Sequence, residues 1–336
     1  PGPVIALLGS VLIAAGETTE WLIFIGRILA GIAVGIAMSA GGSWIKELST
    51  REFDPGAGPA SGAQRAAMSN TAGFGLGAGA AGVLAQWGPA PGQLPYVVHA
   101  IISLIALIGL LTVPETRQSA HLKVRGSFWS DLLAPSARHP RFLTVVAPIA
   151  PWVFGAAGVS YAIMPRLVQD QVSTPIAFSA LLTVICLGFG FAIQQFGPKI
   201  NTSYNARGPI LGLVLVIVGM VVATISAHHI AVWNTIIVAI ILGMGYGLCM
   251  VSGLTEVQRI AGPDDLGGLT AIFYTLTYIG FFFPMILTKL SSTFTYPSML
   301  GFGVVMAVLA IILVTLFSRK NIPGEDPAPA PEQDAA

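Results

Sequence analysis

The sequence has little charge and little cysteine. Only 9% of its 336 residues are Asp, Glu, Lys or Arg, and the 16 basic and 15 acidic residues leave a net charge of +1. The near-neutral net charge by itself says little about nucleic-acid binding, and no nucleic-acid partner is expected. The two cysteines, Cys186 and Cys249, stand apart in apolar runs. Their spacing suggests neither a disulfide framework nor a zinc site.

The sequence also lacks an arrangement of side chains that could catalyse a reaction. The histidines fall in separate segments apart from one adjacent pair: His99, His121, His139, His228 and His229. Neither a metal cluster nor a nucleophile with its base can be assembled from such positions. We therefore expect no enzyme activity, no metal and no cofactor.

Apolar residues dominate instead. They make up 54% of the chain, and the mean hydropathy is +0.79. A soluble domain of this length would not have such a composition. Windows of about 20 apolar residues are long enough to cross a bilayer. They predict an all-α polytopic membrane protein with ten transmembrane helices, near residues 3–18, 20–46, 65–87, 95–114, 142–168, 175–197, 208–228, 230–257, 267–290 and 296–318.

Polar segments divide the predicted helices into two bundles. Residues 1–114 form a partial first bundle of four helices, and residues 142–320 form a second bundle of six. Residues 115–141 link them, and residues 321–336, rich in Pro, Ala and acid, are expected to be a disordered tail. The first apolar stretch follows no initiator Met and does not resemble a signal peptide. We expect two further helices before it in a longer protein.

Basic residues are concentrated on one side of the predicted membrane. Thirteen of the 16 Lys and Arg residues fall in loops on the side of the linker, Arg166 and Lys289 fall on the other, and Arg27 lies within a helix. An excess of Lys and Arg marks cytoplasmic loops. The linker and the C-terminus are therefore predicted to be cytoplasmic, in a membrane of the bacterial inner-membrane type.

Two segments repeat one pattern of small residues. Gly31–Gly41 reads GIAVGIAMSAG and aligns without gaps on Gly243–Gly253, GMGYGLCMVSG, at an offset of 212 residues (243 minus 31). Glycines four residues apart share one helix face, which lets another helix approach closely. We predict helix-packing or gating roles for Gly31, Gly35, Gly243 and Gly247, and parallel repeats in the two bundles.

This arrangement resembles the major facilitator superfamily of secondary transporters, whose halves are parallel repeats. The family's fourth helix is matched by RILAGIAVG from Arg27, the end of its sixth by VPETR from Val113, and the basic stretch before its fifth by Arg65. The ten predicted helices then correspond to family helices three to twelve. The resemblance implies a monomeric transporter in the lipid bilayer that moves a small-molecule substrate, with protons, by alternating access.

A weaker pattern concerns the direction of transport. In the family's drug/proton antiporters, the fifth helix resembles Gly-x-x-x-Gly-Pro-x-x-Gly-Gly. Gly73–Gly82, GFGLGAGAAG, keeps the spacing but has Ala78 for the proline and Ala81 for a glycine. The resemblance favours export and gives packing or gating roles to Gly73, Gly77 and Gly82. The alternative is a glycine-lined packing face that has no bearing on direction.

Candidate substrate and coupling residues come from burial cost and from the resemblance. Arg27 is expensive at membrane depth unless it meets water or a partner. We favour a role in coupling or substrate binding over a bond to neighbouring carbonyls. The resemblance implies that the second, fifth and eighth visible helices line the path, which adds Trp152, Tyr161, Asn234, Tyr246 and Glu256. Trp152 and Tyr161 could instead pack, and Glu256 could pair with Arg259 as a cytoplasmic latch.

These residues suit an amphipathic or anionic organic solute better than a sugar, and the leading expectation is a proton-coupled exporter. The coupling carboxylate would be Glu256 or a residue in a helix before the visible ones. Two alternatives stay open. The protein could import a nutrient or anion as a symporter or uniporter, or it could be a truncated remnant of the fold that transports nothing.

Overall fold

Each apolar run that the sequence analysis identified forms a helix. The computed structural model describes residues 1–50, 53–58, 60–113, 116, 134–262 and 265–322. Within those residues the chain forms ten long helices and no β-strand, as the sequence predicts. They are α1 (Gly2–Ala15), α2 (Glu20–Leu48), α3 (Ser61–Trp87), α4 (Leu94–Leu110), α5 (Phe142–Leu167), α6 (Pro175–Gln194), α7 (Arg207–His228), α8 (Val232–Ile260), α9 (Leu266–Leu290) and α10 (Tyr296–Phe317).

Most of these helices are long enough to cross a bilayer. Seven of them, α2 and α5 to α10, combine at least 20 residues with an apolar composition. The helix α3 has 27 residues, but glycine and alanine make it less apolar. The helices α1 and α4 have 14 and 17 residues. Both are therefore shorter than the roughly 20 residues that a perpendicular span needs.

Helix α5 stays helical despite three prolines, Pro148, Pro151 and Pro165. Proline removes a backbone donor and would break a regular helix. Pro148 follows a π-helical turn at Phe142–Val146, and a second π-helical turn at Val159–Ile163 holds Ser160 and Tyr161. Wide turns of this kind absorb a local irregularity and often mark functional sites. The helix is thus continuous, with two π-helical turns in place of a break.

The helices pack as two groups with a shared interface. In the first group, α1 packs against α2 and α4, and in the second, α8 packs against α5, α6 and α7. The groups meet where α3 runs along α6 and α8 and where α2 reaches α9. In both α5 and α8, 72% of the apolar span is buried, against 17% in α2 and α10. The core of the molecule therefore lies around α5 and α8.

One end of the molecule carries most of the described basic residues. We call it the basic end and define it by Lys46, Arg65, Arg141, Arg207 and Arg259, which lie at helix ends or beside them. Most of the predicted linker, the predicted disordered tail from residue 323 onward and most of the Val113–Arg117 motif lie outside the described residues. The helices α2, α6, α8 and α10 all finish at the basic end.

Candidate functional site

A cluster of aromatic rings lies between the two groups of helices. Phe154 of α5 stacks on Phe281 with ring centroids 4.3 Å apart, and it contacts Tyr278 at 5.2 Å and Tyr246 at 6.0 Å. Phe74, from α3 in the other group, meets Phe154 edge-on at 5.7 Å. We call these five residues the midplane aromatic cluster, because Phe74, Phe154, Tyr246 and Tyr278 each stand at the middle of their own helix.

A chain of neutral hydrogen bonds joins the two groups beside this cluster, on the side of the basic end. Thr71 of α3 donates to the carbonyl of Ala67 at 2.8 Å, so its oxygen is free to accept two hydrogen bonds. The amide of Gln194 donates to that oxygen at 2.8 Å, and the hydroxyl of Tyr246 lies 2.9 Å from it. Tyr246 is therefore the donor of its bond to Thr71. Gln194 Oε1 is buried without a described partner.

Two further bonds connect the groups at a similar depth. Asn70 Nδ2 donates to the hydroxyl of Tyr274 at 2.6 Å, and the hydroxyl of Tyr278 lies 3.3 Å from the sulfur of Met38. They join α3 and α2 to α9. Together with the Thr71 chain they form a polar layer across the interface between the two groups.

Glu256 lies in a buried ion cluster at the basic end of the second group. Its carboxylate accepts from Nε and Nη2 of Arg141 at 2.6 and 3.0 Å, and from Nη1 of Arg259 at 3.0 Å. Arg141 is completely buried, and its Nη1 also donates to the carbonyls of Ser318 and Lys320, each at 3.2 Å. Two guanidinium groups thus satisfy one buried carboxylate, as burial of an ion pair requires.

Arg27 lies away from both clusters. Its side chain is exposed on α2 and donates from Nη2 to the hydroxyl of Tyr96 on α4 at 2.9 Å. Its guanidinium carbon is 5.8 Å from the centroid of the Tyr96 ring. The arginine therefore meets a partner in its own group of helices, through a hydrogen bond and a cation–π contact.

The other predicted substrate residues make different contacts. Trp152 is buried against Phe283 at 5.9 Å, and Tyr161 accepts a hydrogen bond from Ser179 through its backbone carbonyl. Asn234 donates to the carbonyl of His229 and closes the turn before α8. Of the six candidates, only Tyr246 joins the midplane aromatic cluster. Glu256 lies ten residues along α8, which is about 15 Å away at 1.5 Å per residue.

The predicted packing glycines differ in their surroundings. A methyl group at Gly243 or Gly247 would collide with the carbonyls of Cys186 and Gly190 on α6, and one at Gly82 would collide with the side chain of Ala180. The other four face open space, with no neighbouring atom within 4 Å of an added methyl group: Gly31, Gly35, Gly73 and Gly77.

Sequence reasoning missed Phe154, Thr71 and Arg141. Arg141 fell in the predicted linker, and no acidic residue lies near it in the sequence that could identify its partner. Four residues of the aromatic cluster carried a usable signal, since Phe74, Phe154, Tyr246 and Tyr278 each stand near the middle of an apolar run. Because each of these four predicted helices spans the membrane, rings at their centres are expected to lie at about the same depth.

Comparison with known proteins identifies the family. The family described as the Major Facilitator Superfamily matches residues 2–285. The chain belongs to the major facilitator superfamily. Its fold is similar to that of the fucose:proton symporter FucP of E. coli, with a TM-score of 0.61 and 14% identity over 94% of this chain and 82% of that one. No curated protein sequence matches the chain.

Membership has direct consequences for the architecture and activity. Transporters of this superfamily are built from two bundles around a site near the bilayer midplane. This superfamily chain is an integral multi-pass membrane protein and a secondary transporter. The expectation that it is a transporter agrees with the family.

Proposed function

We propose that the chain moves a small organic solute by alternating access and binds it against the midplane aromatic cluster. The observation that carries the proposal is the position of that cluster. Phe74 belongs to one group of helices and Phe154, Tyr246, Tyr278 and Phe281 to the other, so the rings lie on the interface between them. Transporters of this architecture bind substrate at such an interface, near the midplane.

The chemistry of the cluster favours a neutral solute with a flat apolar part. In the described structure the rings of the cluster stack on or meet one another. The described cation–π pairs, Arg27 with Tyr96 and Lys320 with Phe317, lie elsewhere. A charged solute would lose its hydration there without gaining an opposite charge. Anionic solutes were expected because Arg27 was placed on the path, and its contact with Tyr96 weakens that reason. We therefore propose a neutral amphipathic solute with an aromatic or flat apolar group.

We further propose that transport is proton-coupled export. The Gly73–Gly82 resemblance to drug/proton antiporters supports this direction. FucP is a fucose:proton symporter, so the same fold also serves proton-coupled symport. Uptake is therefore the alternative that the experiment below must distinguish.

The proposal gives different roles to the two charged candidates. Among the described acidic side chains only Glu256 is buried, and Arg141 and Arg259 both hold its carboxylate. Both arginines belong to the second group, so we propose that Glu256 ties the ends of α5 and α8 together at the basic end and does not carry protons. Arg27 stays our candidate for coupling, through its hydrogen bond to Tyr96.

The test is flux of a panel of neutral aromatic solutes in proteoliposomes of the full-length protein, with and without a pH gradient. Phe281→Ala removes a ring at the partly exposed edge of the cluster, and Phe302→Ala removes an exposed ring on α10 as a matched control. We expect Phe281→Ala to raise KM and the control to leave it unchanged. Flux that ignores the gradient would contradict proton coupling, and gradient-driven uptake would contradict export. Absence of flux for every solute would favour the non-transporting remnant.

A further inference from the structure

Three helices of the second group finish at the basic end with carbonyls that lack partners within the helix. They are α6, α8 and α10. The last carbonyls of any helix have no intrahelical donor, and the helix dipole places partial negative charge there. Such ends are stabilised when a side chain, above all a cationic one, donates to them. In this structure each of the three ends receives a side-chain donor.

Two of these donors come from the first group of helices. Lys46, near the end of α2, donates from Nζ to the carbonyl of Gln258 in the last turn of α8 at 3.3 Å. Gln64, at the start of α3, donates from Nε2 to the carbonyls of Gln194 and Gln195 at the end of α6, at 3.3 and 3.1 Å. The ends of α8 and α6 are thus capped across the interface.

The third end is capped within the second group. Arg141, at the start of α5, donates to the carbonyls of Ser318 and Lys320 beyond α10. A rocking motion that separates the two groups at the basic end must break the caps made by Lys46 and Gln64. It need not disturb the cap made by Arg141. The two kinds of cap therefore respond differently to opening.

We propose that Lys46 and Gln64 are gate residues, which hold the basic side closed by capping the C-termini of α8 and α6. This inference rests on the alternating access proposed above. A cavity of about 340 Å³ lies directly beside Lys46 and Gln258. Water in that cavity can solvate the ammonium and the carbonyl once they separate. Opening then exchanges a direct bond for hydrated groups instead of leaving them unpaired.

The gate can be tested by the accessibility of a buried position beside it. Ala67 is completely buried on α3, between Gln64 and Thr71. In a protein with Cys186→Ala and Cys249→Ala, the thiol of Ala67→Cys reports opening through its reaction with a membrane-impermeant maleimide in nanodiscs. We expect Lys46→Met to raise the labelling rate about tenfold, as loss of a charged hydrogen bond would. Gln64→Leu should raise the rate by a smaller factor, and Lys46→Arg should keep it low.

Matched controls separate the gate from a general effect of charge or size. Lys199 is exposed at the same end and has no described partner in the first group. Lys199→Met and Gln195→Leu should therefore leave labelling at the starting rate. An unchanged rate in both Lys46→Met and Gln64→Leu, or an equal rise in Lys199→Met, would overturn the proposal. If Lys46→Met does not fold, the difference in labelling rate between Gln64→Leu and Gln195→Leu decides the test.

The readout does not depend on the identity of the solute. Raised labelling without any solute flux would support the gate and contradict the proposed transport. Flux with unchanged labelling in the gate variants would support transport and contradict the gate.

Discussion

The repeated glycine segments of α2 and α8 share a sequence pattern but differ in packing. In α8, Gly243 and Gly247 lie against the backbone of α6 at Cys186 and Gly190, where no side chain fits. In α2, Gly31 and Gly35 face open space, and no described helix takes the place beside α2 that α6 takes beside α8. Four-spaced glycines specify a smooth helix face. Whether the face is used depends on a second helix that the pattern itself does not encode.

The two helices that carry these segments also differ in their charge. Arg27 aligns with Ala239 at the offset of 212 residues. Ala239 is completely buried in α8, whereas Arg27 is exposed on α2 and reaches Tyr96. The ion pairs differ in the same way, since Arg141 and Glu256 are buried in the second group and Arg65 and Asp54 are exposed in the first. In the described structure the repeated glycines and the ion pair are therefore buried in the second group and exposed in the first.

The largest expected difference between the halves comes from these ion pairs. Arg141→Met leaves the Glu256 carboxylate without its main partner, and breaking a buried pair costs about 3–5 kcal/mol. Arg65→Met removes an exposed pair, so its effect should be small. Thermal unfolding of the purified protein in nanodiscs measures both. Equal losses in the two variants would contradict the contrast between the halves.

The glycines provide the second comparison. Gly247→Ala forces a methyl group into the carbonyl of Gly190, and overpacking of this kind costs about 1–3 kcal/mol. Gly35→Ala, the repeat equivalent, meets no atom within 4 Å and should leave the unfolding temperature unchanged or slightly higher. The same unfolding assay tests the pair. A destabilised Gly35→Ala would show that this face is in contact with another element.

Replacing Arg27 is expected to change function with little effect on stability. Its side chain is exposed and contacts Tyr96, so Arg27→Ala should unfold at nearly the starting temperature. If it has the coupling role proposed above, the same variant should lose gradient-driven flux. Tyr96→Phe, which removes only the hydroxyl, should lose part of it. Normal flux in Arg27→Ala would remove the arginine from the mechanism, and loss of folding would make its role structural.

The smallest expected effect is a pH dependence at the exposed pair. The hydrogen bond from Arg65 holds the pKa of Asp54 below its ordinary value of 3.8. Because the folded pKa is the lower one, this contribution to stability is present above pH 3.8 and is lost as the pH falls through the folded pKa. Unfolding temperatures measured from pH 5 downward should fall slightly more steeply for the starting protein than for Arg65→Met. Parallel curves would contradict this assignment.

The sequence was sufficient for the helices and the family, because both depend on local patterns. Apolar windows located all ten helices, and RILAGIAVG from Arg27 carried the resemblance that the family match confirms. The interface could not be predicted in the same way. Thr71, Gln194 and Tyr246 come from three helices, and their contact depends on how α3, α6 and α8 cross.

Arg141 shows the same limit for charged groups. Its partner Glu256 is 115 residues away in the chain, so no spacing rule links them. Apart from Arg27, the predicted residues on the path were chosen from helices that the resemblance assigns to it, and helix number does not give the direction of a side chain. This explains why Tyr246 reached the midplane aromatic cluster while Asn234 closed a turn at the start of the same helix.

The central claim is that the two groups of helices separate at the basic end around the midplane aromatic cluster. Spin labels at Gly58→Cys in the first group and Ser203→Cys in the second, with both native cysteines replaced by alanine, would measure this separation directly by double electron–electron resonance. The account predicts two distance populations, with the longer one enriched in Lys46→Met relative to Lys199→Met. A single distance that is the same in all variants and from pH 5 to pH 8 would contradict alternating access.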